Sequence, residues 1–354
     1  MKNIIVASRK ENIAVSCKRD YGRILCETNA EKGIVQDVLS CVFGIQSFAF
    51  IEETSSTLSA VVQKAATFLK NVDRSLTLKF ETKRADKQLP FTSVDVNKEL
   101  GAQAIALGFS LNLKHPDFVL YAELTSKKAY LYSEKILGLG GLPVGCTGKV
   151  LVLFSGGIDS AVAAWLMMKR GCQVDFLHFH TFKENKEVLD TKIMALKNRL
   201  DLFQESSRLF LVPYHTYELA TLGKIPERYN LVLFKHFLLK FAEFLALQKK
   251  YLALVTGDSL AQVASQTLEN IRSSSYGISL PLFRPLLTYD KQEIIDLAER
   301  IGTYKTSIKE YKDCCSIVSK NPATKVSLEK FKKILEDVSV DSLLKDIASN
   351  LSCV

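Results

Sequence analysis

The chain has 354 residues, 47% of them hydrophobic, and a net charge of +9 at pH 7. That length and apolar share exclude a disordered chain and suffice for two or three domains, each with its own core. The excess of Lys and Arg suits a polyanionic partner such as a nucleic acid, though many basic proteins bind none.

Residues 1–7 are apolar, but Arg9, Lys10 and Glu11 follow too soon for a signal-peptide core. Short apolar runs at 3–7, 13–16 and 23–27 alternate with a helical stretch at 34–43 that ends on Gly44, the pattern of a small α+β unit. Helical periodicity returns at 58–70. Residues 76–83 alternate as a strand, with Leu76, Leu78 and Phe80 on one face. A helix at 93–107 and a strand pair at 118–124 and 128–133 follow, and the glycines and Pro143 of 138–148 mark a linker. Beyond it, apolar strands at 149–154, 174–180, 209–214 and 252–256 alternate with helices at 161–169, 188–200 and 230–249. Such alternation predicts a parallel sheet covered on both faces. Helices at 291–302 and 328–337 complete the chain. The most apolar stretch, 231–247, is interrupted by Lys235, Lys240 and Glu243, so no membrane span is expected. The eight cysteines include no CxxC pair, which argues against a disulfide scaffold or zinc knuckle and for a reducing cytoplasm.

The sharpest local signal is Ser155-Gly156-Gly157-Ile158-Asp159-Ser160, between an apolar strand and a helix. Two glycines permit a tight turn that aims consecutive N–H groups at an anion, and the helix adds its positive end. Ser155 and Ser160 add hydroxyls, and the carboxyl end of such a strand is where ligands sit in an open α/β sheet. The segment is not a Walker A loop: near Gly148-Lys149 the first glycine position is Pro143 and the last residue is Val150.

SGGxDS is the signature of the PP-loop ATP pyrophosphatases, which this segment resembles in context as well as in letters. Residues 256–268, TGDSLAQVASQTL, look like the TGE-x-L-x-QV-x-SQT segment of the tRNA uracil 4-sulfurtransferases, the ThiI family. Arg284-Pro285-Leu286 with Asp290-Lys291, Ile301-Gly302-Thr303 and Asp313-Cys314-Cys315-Ser316-Ile317 match that family too. Residues 91–96 and 138–145 carry a likeness to its THUMP domain.

The resemblance implies an α/β fold. A C-terminal PP-loop domain, a parallel sheet of adenine nucleotide alpha hydrolase type, would span 149–325. A small ferredoxin-like α+β domain at 1–55, a tRNA-binding THUMP domain at 56–137 and a linker at 138–148 would precede it, and a helical tail at 326–354 would follow. The implied reaction uses ATP and Mg²⁺: uracil O4 of a tRNA uridine, at tRNA position 8, is adenylated, and a cysteine persulfide or sulfide displaces AMP to give 4-thiouridine. Asp159, Lys291 and Cys315 would be catalytic. Leu153, Phe154, Ser155, Gly156, Gly157, Ser160, His178, Phe179, Lys235, Gly257 and Gln266 would bind the nucleotide. From the residues alone, Phe179 equally reads as core, and Lys235 and Lys291 as solvated helix lysines. His178 and His180 share a strand face, but with no third ligand nearby no metal site is assigned.

Thiolation needs a reactive cysteine. Cys315 occupies the family's catalytic position, and the neighbouring Lys309, Lys312 and Lys320 are expected to favour its thiolate. Some relatives end in a rhodanese-like relay domain, whereas this sequence ends soon after Cys315. A separate sulfur donor, a cysteine desulfurase or sulfide, is therefore expected beside tRNA as a partner, with a homodimer allowed and no membrane. Lys79, Lys83, Arg84, Lys87, Lys127 and Lys128 are candidates for tRNA phosphate contacts. Two other readings remain open: a PP-loop ligase or amidotransferase acting on a small molecule, and a non-catalytic THUMP RNA-binding protein.

Overall fold

The computed structural model describes residues 1–319, 321–336, 338 and 340–354. Two compact units emerge, residues 1–40 with 45–139 and residues 41–44 with 140–354.

The first unit begins with helix α1 (Lys2–Lys10), strands β1 (Ser16–Asp20) and β2 (Arg23–Glu27), and helix α2 (Lys32–Leu39). The apolar run at 3–7 thus lies in a helix. It buries Ile4 and Ser8, four residues apart, a period that five residues are too few to reveal. The helix expected at 34–43 stops at Leu39, because Phe43 belongs to the second unit, where its ring packs on Trp165 and Phe203. Next come β3 (Ser47–Phe48), β4 (Glu52–Ser55), α3 (Leu58–Leu69), β5 (Thr77–Arg84), α4 (Ser93–Ala106), β6 (Ser110–Leu111), β7 (Phe118–Leu124), β8 (Lys128–Tyr132) and β9 (Ile136–Leu137). The five-stranded sheet runs β4-β8-β7-β5-β6, with β5 parallel to both its neighbours and the other pairs antiparallel. Helices α3 and α4 supply Val61, Ala65, Leu69, Val96, Leu100 and Ala104, which pack on Leu78, Phe80, Leu120 and Leu131 of the sheet. The start of α4 is fixed by a capping box: the Thr92 hydroxyl accepts from the Asp95 N–H, and the Asp95 carboxylate accepts from the Thr92 N–H.

The second unit holds the predicted parallel sheet. Its elements are β10 (Lys149–Leu153), α5 (Ile158–Lys169), β11 (Gln173–His180), α6 (Lys192–Leu200), β12 (Leu209–Pro213), α7 (His215–Thr221), α8 (Glu227–Lys249), β13 (Ala253–Val255), α9 (Leu268–Ser274), β14 (Leu282–Phe283), α10 (Lys291–Arg300), α11 (Tyr304–Ser307), α12 (Cys314–Val318), α13 (Leu328–Glu336), α14 (Val340–Ala348) and β15 (Ser352–Cys353). The strand order is β14-β13-β10-β11-β12-β15, parallel throughout except for β15. The expected helix at 188–200 divides into a 3-10 turn and α6, because the Thr191 hydroxyl caps a fresh start at Lys192. The last predicted helix ends at Glu336; Asp337 lies outside the described residues.

Buried β11 carries a carboxylate, Asp175. It accepts from the Arg208 backbone N–H at 2.6 Å, the Arg208 Nε at 3.0 Å and the Tyr251 hydroxyl at 2.6 Å, so the charge is fully met. Helix α8 is buried around most of its girth, and Phe234, Phe237 and Phe241 fill the space beneath the sheet with Leu151, Phe210 and Leu254. Among the described residues no helix is long and apolar enough to cross a membrane.

Candidate functional site

Strand β10 leads into the glycine loop. The Phe154 N–H donates to the Leu177 carbonyl at 2.8 Å, and the buried Phe154 ring packs on Phe176 with centroids 4.6 Å apart. The chain then turns at Gly156, whose φ of +77° is the left-handed region that a side chain disfavours. Gly157 is the N-cap of α5, so the first-turn N–H groups, those of Asp159 and Ser160 among them, have no partner within the helix. The hydroxyls brace this turn: Ser155 Oγ accepts from the Gly157 N–H at 3.3 Å, and Ser160 Oγ donates to the Gly157 carbonyl at 3.1 Å. The result is a row of donors at the positive end of a twelve-residue helix, which suits a pyrophosphate.

A second segment closes on this loop. A Cβ built on Gly257 would stand 2.8 Å from the Ser160 nitrogen and 2.9 Å from the Asp159 carbonyl carbon, so only glycine lets the two backbones approach this closely. Two side chains hold the Asp159 carboxylate: Lys291 Nζ at 2.8 Å and Gln262 Nε2 at 3.0 Å. Lys291 opens α10, where Asp290 and Glu293 form a capping box that fixes the lysine's start point.

Asp258 organises the next layer, a role the sequence reading did not assign. Its carboxylate accepts from Lys235 at 2.9 Å, Arg284 at 3.2 Å, the Thr256 hydroxyl at 2.7 Å and Gln266 Nε2 at 3.4 Å. Burial acts to raise this carboxyl, but Lys235, Thr256 and Arg284 outweigh it and hold the group down to about 2. Lys235 is therefore no solvated helix lysine. The Oε1 atoms of Gln262 and Gln266 are buried without a protein partner, leaving two acceptors for a ligand. Donor loop, cations and orphaned acceptors together fit a nucleoside triphosphate.

His178 lies buried at the end of β11. Its Nδ1 meets the Phe154 carbonyl at 2.6 Å and its Nε2 meets the Tyr311 hydroxyl at 2.7 Å. Burial lowers its pKa to about 3, so the ring is neutral. A carbonyl only accepts, so Nδ1 carries the proton and Nε2 accepts from Tyr311. Both nitrogens are occupied, and His178 has no lone pair for a metal. Phe179 points the other way. Its ring makes edge contacts with Phe234, Phe237 and Phe241 at 5.6–6.3 Å, so its side chain is core and only its backbone can reach a nucleotide.

The cysteine pair begins α12, where Asp313 is the N-cap and accepts from the Cys315 N–H at 3.4 Å. Cys314 is buried in the core under α8, at 2% exposure, and Cys315 is half-buried beside it. Burial, then Asp313, push the Cys315 thiol up to about 12, with Lys235 opposing. This corrects the expectation that the sequence-adjacent lysines favour a thiolate. The cation acting on Cys315 comes from α8, and Lys320 lies outside the described residues. Lys192 positions the segment by donating to the carbonyls of Ser307 at 2.7 Å and Lys309 at 2.9 Å.

Of the basic candidates in the first unit, Lys79 pairs with Glu81 and Lys128 with Glu53, while Arg84 donates to the Leu89 and Phe91 carbonyls. Lys83, Lys87 and Lys127 are exposed.

Comparison with known proteins supplies a context for this geometry. The family described as "Thiamine biosynthesis protein (ThiI)" matches residues 145–340, and the THUMP domain matches residues 55–134. A probable tRNA sulfurtransferase of Caldanaerobacter subterraneus subsp. tengcongensis is 40% identical over 335 residues, 93% of this chain and 87% of that protein. Another, from Brevibacillus brevis, is 36% identical over 337 residues, 94% and 84% of the two chains. A crystal structure of a 4-thiouridine synthetase–RNA complex with bound ATP covers 99% of this chain and 93% of its own, with a TM-score of 0.87 at 30% identity.

Proposed function

The chain belongs to the ThiI family of ATP-dependent tRNA sulfurtransferases, and we propose that it makes 4-thiouridine at tRNA position 8 by adenylating uracil O4 and passing sulfur through Cys315. The observation that carries this reading is the assembly, in one unit, of the donor loop at 155–160, the Lys291–Asp159 pair and the Lys235–Asp258–Arg284 cluster, whose Lys235 also acts on Cys315.

The residues divide the work. Backbone N–H groups of the loop and the α5 N-terminus receive the β- and γ-phosphates of substrate ATP and keep hold of pyrophosphate as it leaves. Lys291 adds positive charge beside them, oriented by Asp159. Asp159 is also the residue that would hold Mg²⁺, which would supply positive charge to offset that of the phosphates. Lys235 and Arg284 stay in place because Asp258 holds both. The buried Oε1 of Gln266 suits a hydroxyl or amine of the nucleoside, with the backbone of 153–154 and 178–179 alongside.

O4 of the uracil attacks the α-phosphate and pyrophosphate departs. The terminal sulfur of a Cys315 persulfide then forms a bond to C4, and AMP leaves with O4. An external thiol then attacks the Cys315 sulfur, forming a mixed disulfide with it and leaving the outer sulfur on the base, and a second thiol releases Cys315 as the two small thiols become a disulfide. A persulfide is more acidic than a thiol, so loading Cys315 with sulfur lessens the ionisation penalty that burial and Asp313 place on the resting group. The exposed Lys83, Lys87 and Lys127 serve as phosphate contacts for tRNA. The sulfur donor is a separate cysteine desulfurase, whose own persulfide passes its outer sulfur to the Cys315 thiolate and reverts to a thiol, or sulfide, which attacks C4 directly without loading Cys315.

The test is nucleoside analysis after incubating the full chain with ATP, Mg²⁺, unmodified tRNA and a persulfide donor (a cysteine desulfurase with cysteine). 4-Thiouridine should form, and Asp159→Asn and Cys315→Ala should abolish it while tRNA binding persists. Undiminished product in either variant would overturn the assignment.

A further inference from the structure

The first unit contains a second cysteine pair, which the sulfur chemistry does not use. Strands β1 and β2 form an antiparallel ribbon joined by a two-residue turn, Tyr21 at φ +43° and Gly22 at φ +80°. Positive φ at both positions is the hairpin turn that matches strand twist, and it makes Asp20 and Arg23 the hydrogen-bonded closing pair. Pairs then alternate outward: Arg19–Ile24 is non-hydrogen-bonded, Lys18–Leu25 hydrogen-bonded, and Cys17–Cys26 non-hydrogen-bonded. Non-hydrogen-bonded partners have Cα atoms about 4.5 Å apart, within the roughly 4.4–6.8 Å that a disulfide spans.

The two sulfurs stand 3.1 Å apart, so bridging them needs side-chain rotation and no change of register. Register is held at both ends of the ribbon. Near the turn, the Tyr21 and Ser126 hydroxyls share a hydrogen bond at 2.8 Å, the Tyr130 hydroxyl donates to Asp20 at 2.9 Å, and Arg23 pairs with Glu123. At the open end Lys18 donates to Glu27 at 3.0 Å. Cys26 is exposed and Cys17 half-buried, so a small oxidant has access.

We propose that Cys17 and Cys26 are a modification site: a dithiol that closes to a cross-strand disulfide by exchange with a low-molecular-weight disulfide such as glutathione disulfide. One protein thiolate attacks the small disulfide and expels one small thiol. The second protein thiolate then displaces the other, so the chain gives up two electrons and two protons and the small disulfide becomes two thiols. Cys26 is exposed as a residue, but the partial shielding of its sulfur, and then the adjacent Cys17 sulfur, push its thiol up to about 12, so exchange is slow at neutral pH and quickens as pH rises.

The test uses the full chain exposed to glutathione disulfide at mildly alkaline pH, followed by alkylation of the remaining thiols, trypsin digestion and mass spectrometry. Cleavage at Lys18, Arg19 and Arg23 separates the two cysteines unless a disulfide joins them. The expected result is a bridged peptide pair and a loss of two of the eight titratable thiols, both reversed by dithiothreitol. Cys26→Ser should instead give a glutathione adduct on Cys17 with no bridged pair. Recovery of both cysteines alkylated, each carrying its own glutathione, or bridged to other cysteines would overturn the proposal.

Discussion

Replacing Asp258 with Asn removes one charge from the centre of the site while keeping the side chain's size and its hydrogen bond from Thr256. In the wild type, Lys235, then the Thr256 hydroxyl and Arg284, outweigh burial and bring this carboxyl from its ordinary 3.8 to about 2. At 1.36 kcal/mol per pKa unit, that shift stabilises the folded state by about 2 kcal/mol at neutral pH. Because the folded pKa is depressed, the stabilisation is complete above pH 3.8 and is lost as pH falls through about 2. The gap between wild type and Asp258→Asn should therefore be about 2 kcal/mol at pH 7 and about 1 kcal/mol at pH 3. Urea unfolding followed by tryptophan fluorescence reads the relevant unit alone, because the chain's single tryptophan is Trp165, buried on α5, the helix that follows the glycine loop. A gap that is absent at pH 7, or equal at both pH values, would refute the ion cluster as described.

Three further perturbations separate roles within the site. Gly257→Ala places a methyl 2.8 Å from the Ser160 nitrogen, so the loop must shift; 4-thiouridine formation should fall by about 100-fold with the Trp165 signal still that of folded protein. Phe179→Leu thins the aromatic core and should cost about 1–3 kcal/mol of stability, while the KM for ATP stays within twofold, since the ring faces α8. His178 has an ordinary pKa of 6.5 and a folded one of about 3, so its stabilising contribution is full above pH 6.5 and declines on acidification toward 3. Wild type should thus lose about 2 kcal/mol between pH 8 and pH 5 relative to His178→Gln, measured from the same unfolding curves.

Much of this was legible in the sequence because the signals were local. The apolar strands flanking 155–160 and the paired glycines specify a strand–loop–helix unit without help from the rest of the chain, and α5 follows as expected. The parallel sheet was legible for a similar reason: β10, β12 and β13, buried on both faces, read as apolar runs, and β11 does so apart from Asp175, His178 and His180. What stayed hidden depends on residues far apart in sequence. Asp258 gathers Lys235 and Arg284 from different elements, and neither short-range charge pattern nor periodicity reports such a meeting. The environment of Cys315 failed for the same reason, since adjacent lysines suggested a thiolate and the fold surrounds the thiol with α8 and Asp313. The edge strand at Ser352–Cys353 is two residues long, too short for a period-2 signal, and is held by its pairing with Phe210 and Leu211. Likewise, nothing in the spacing of Cys17 and Cys26 announces a pair until the Tyr21-Gly22 turn sets them opposite one another.

The most direct test of the central claim, that uracil O4 is adenylated before sulfur arrives, is to follow the fate of that oxygen. Unmodified tRNA carrying a heavy-oxygen label at uracil O4 is incubated with the full chain, ATP, Mg²⁺ and the persulfide donor, and the AMP released is analysed by mass spectrometry. One labelled oxygen is expected on the AMP phosphate for each 4-thiouridine formed. Unlabelled AMP accompanying 4-thiouridine would contradict it.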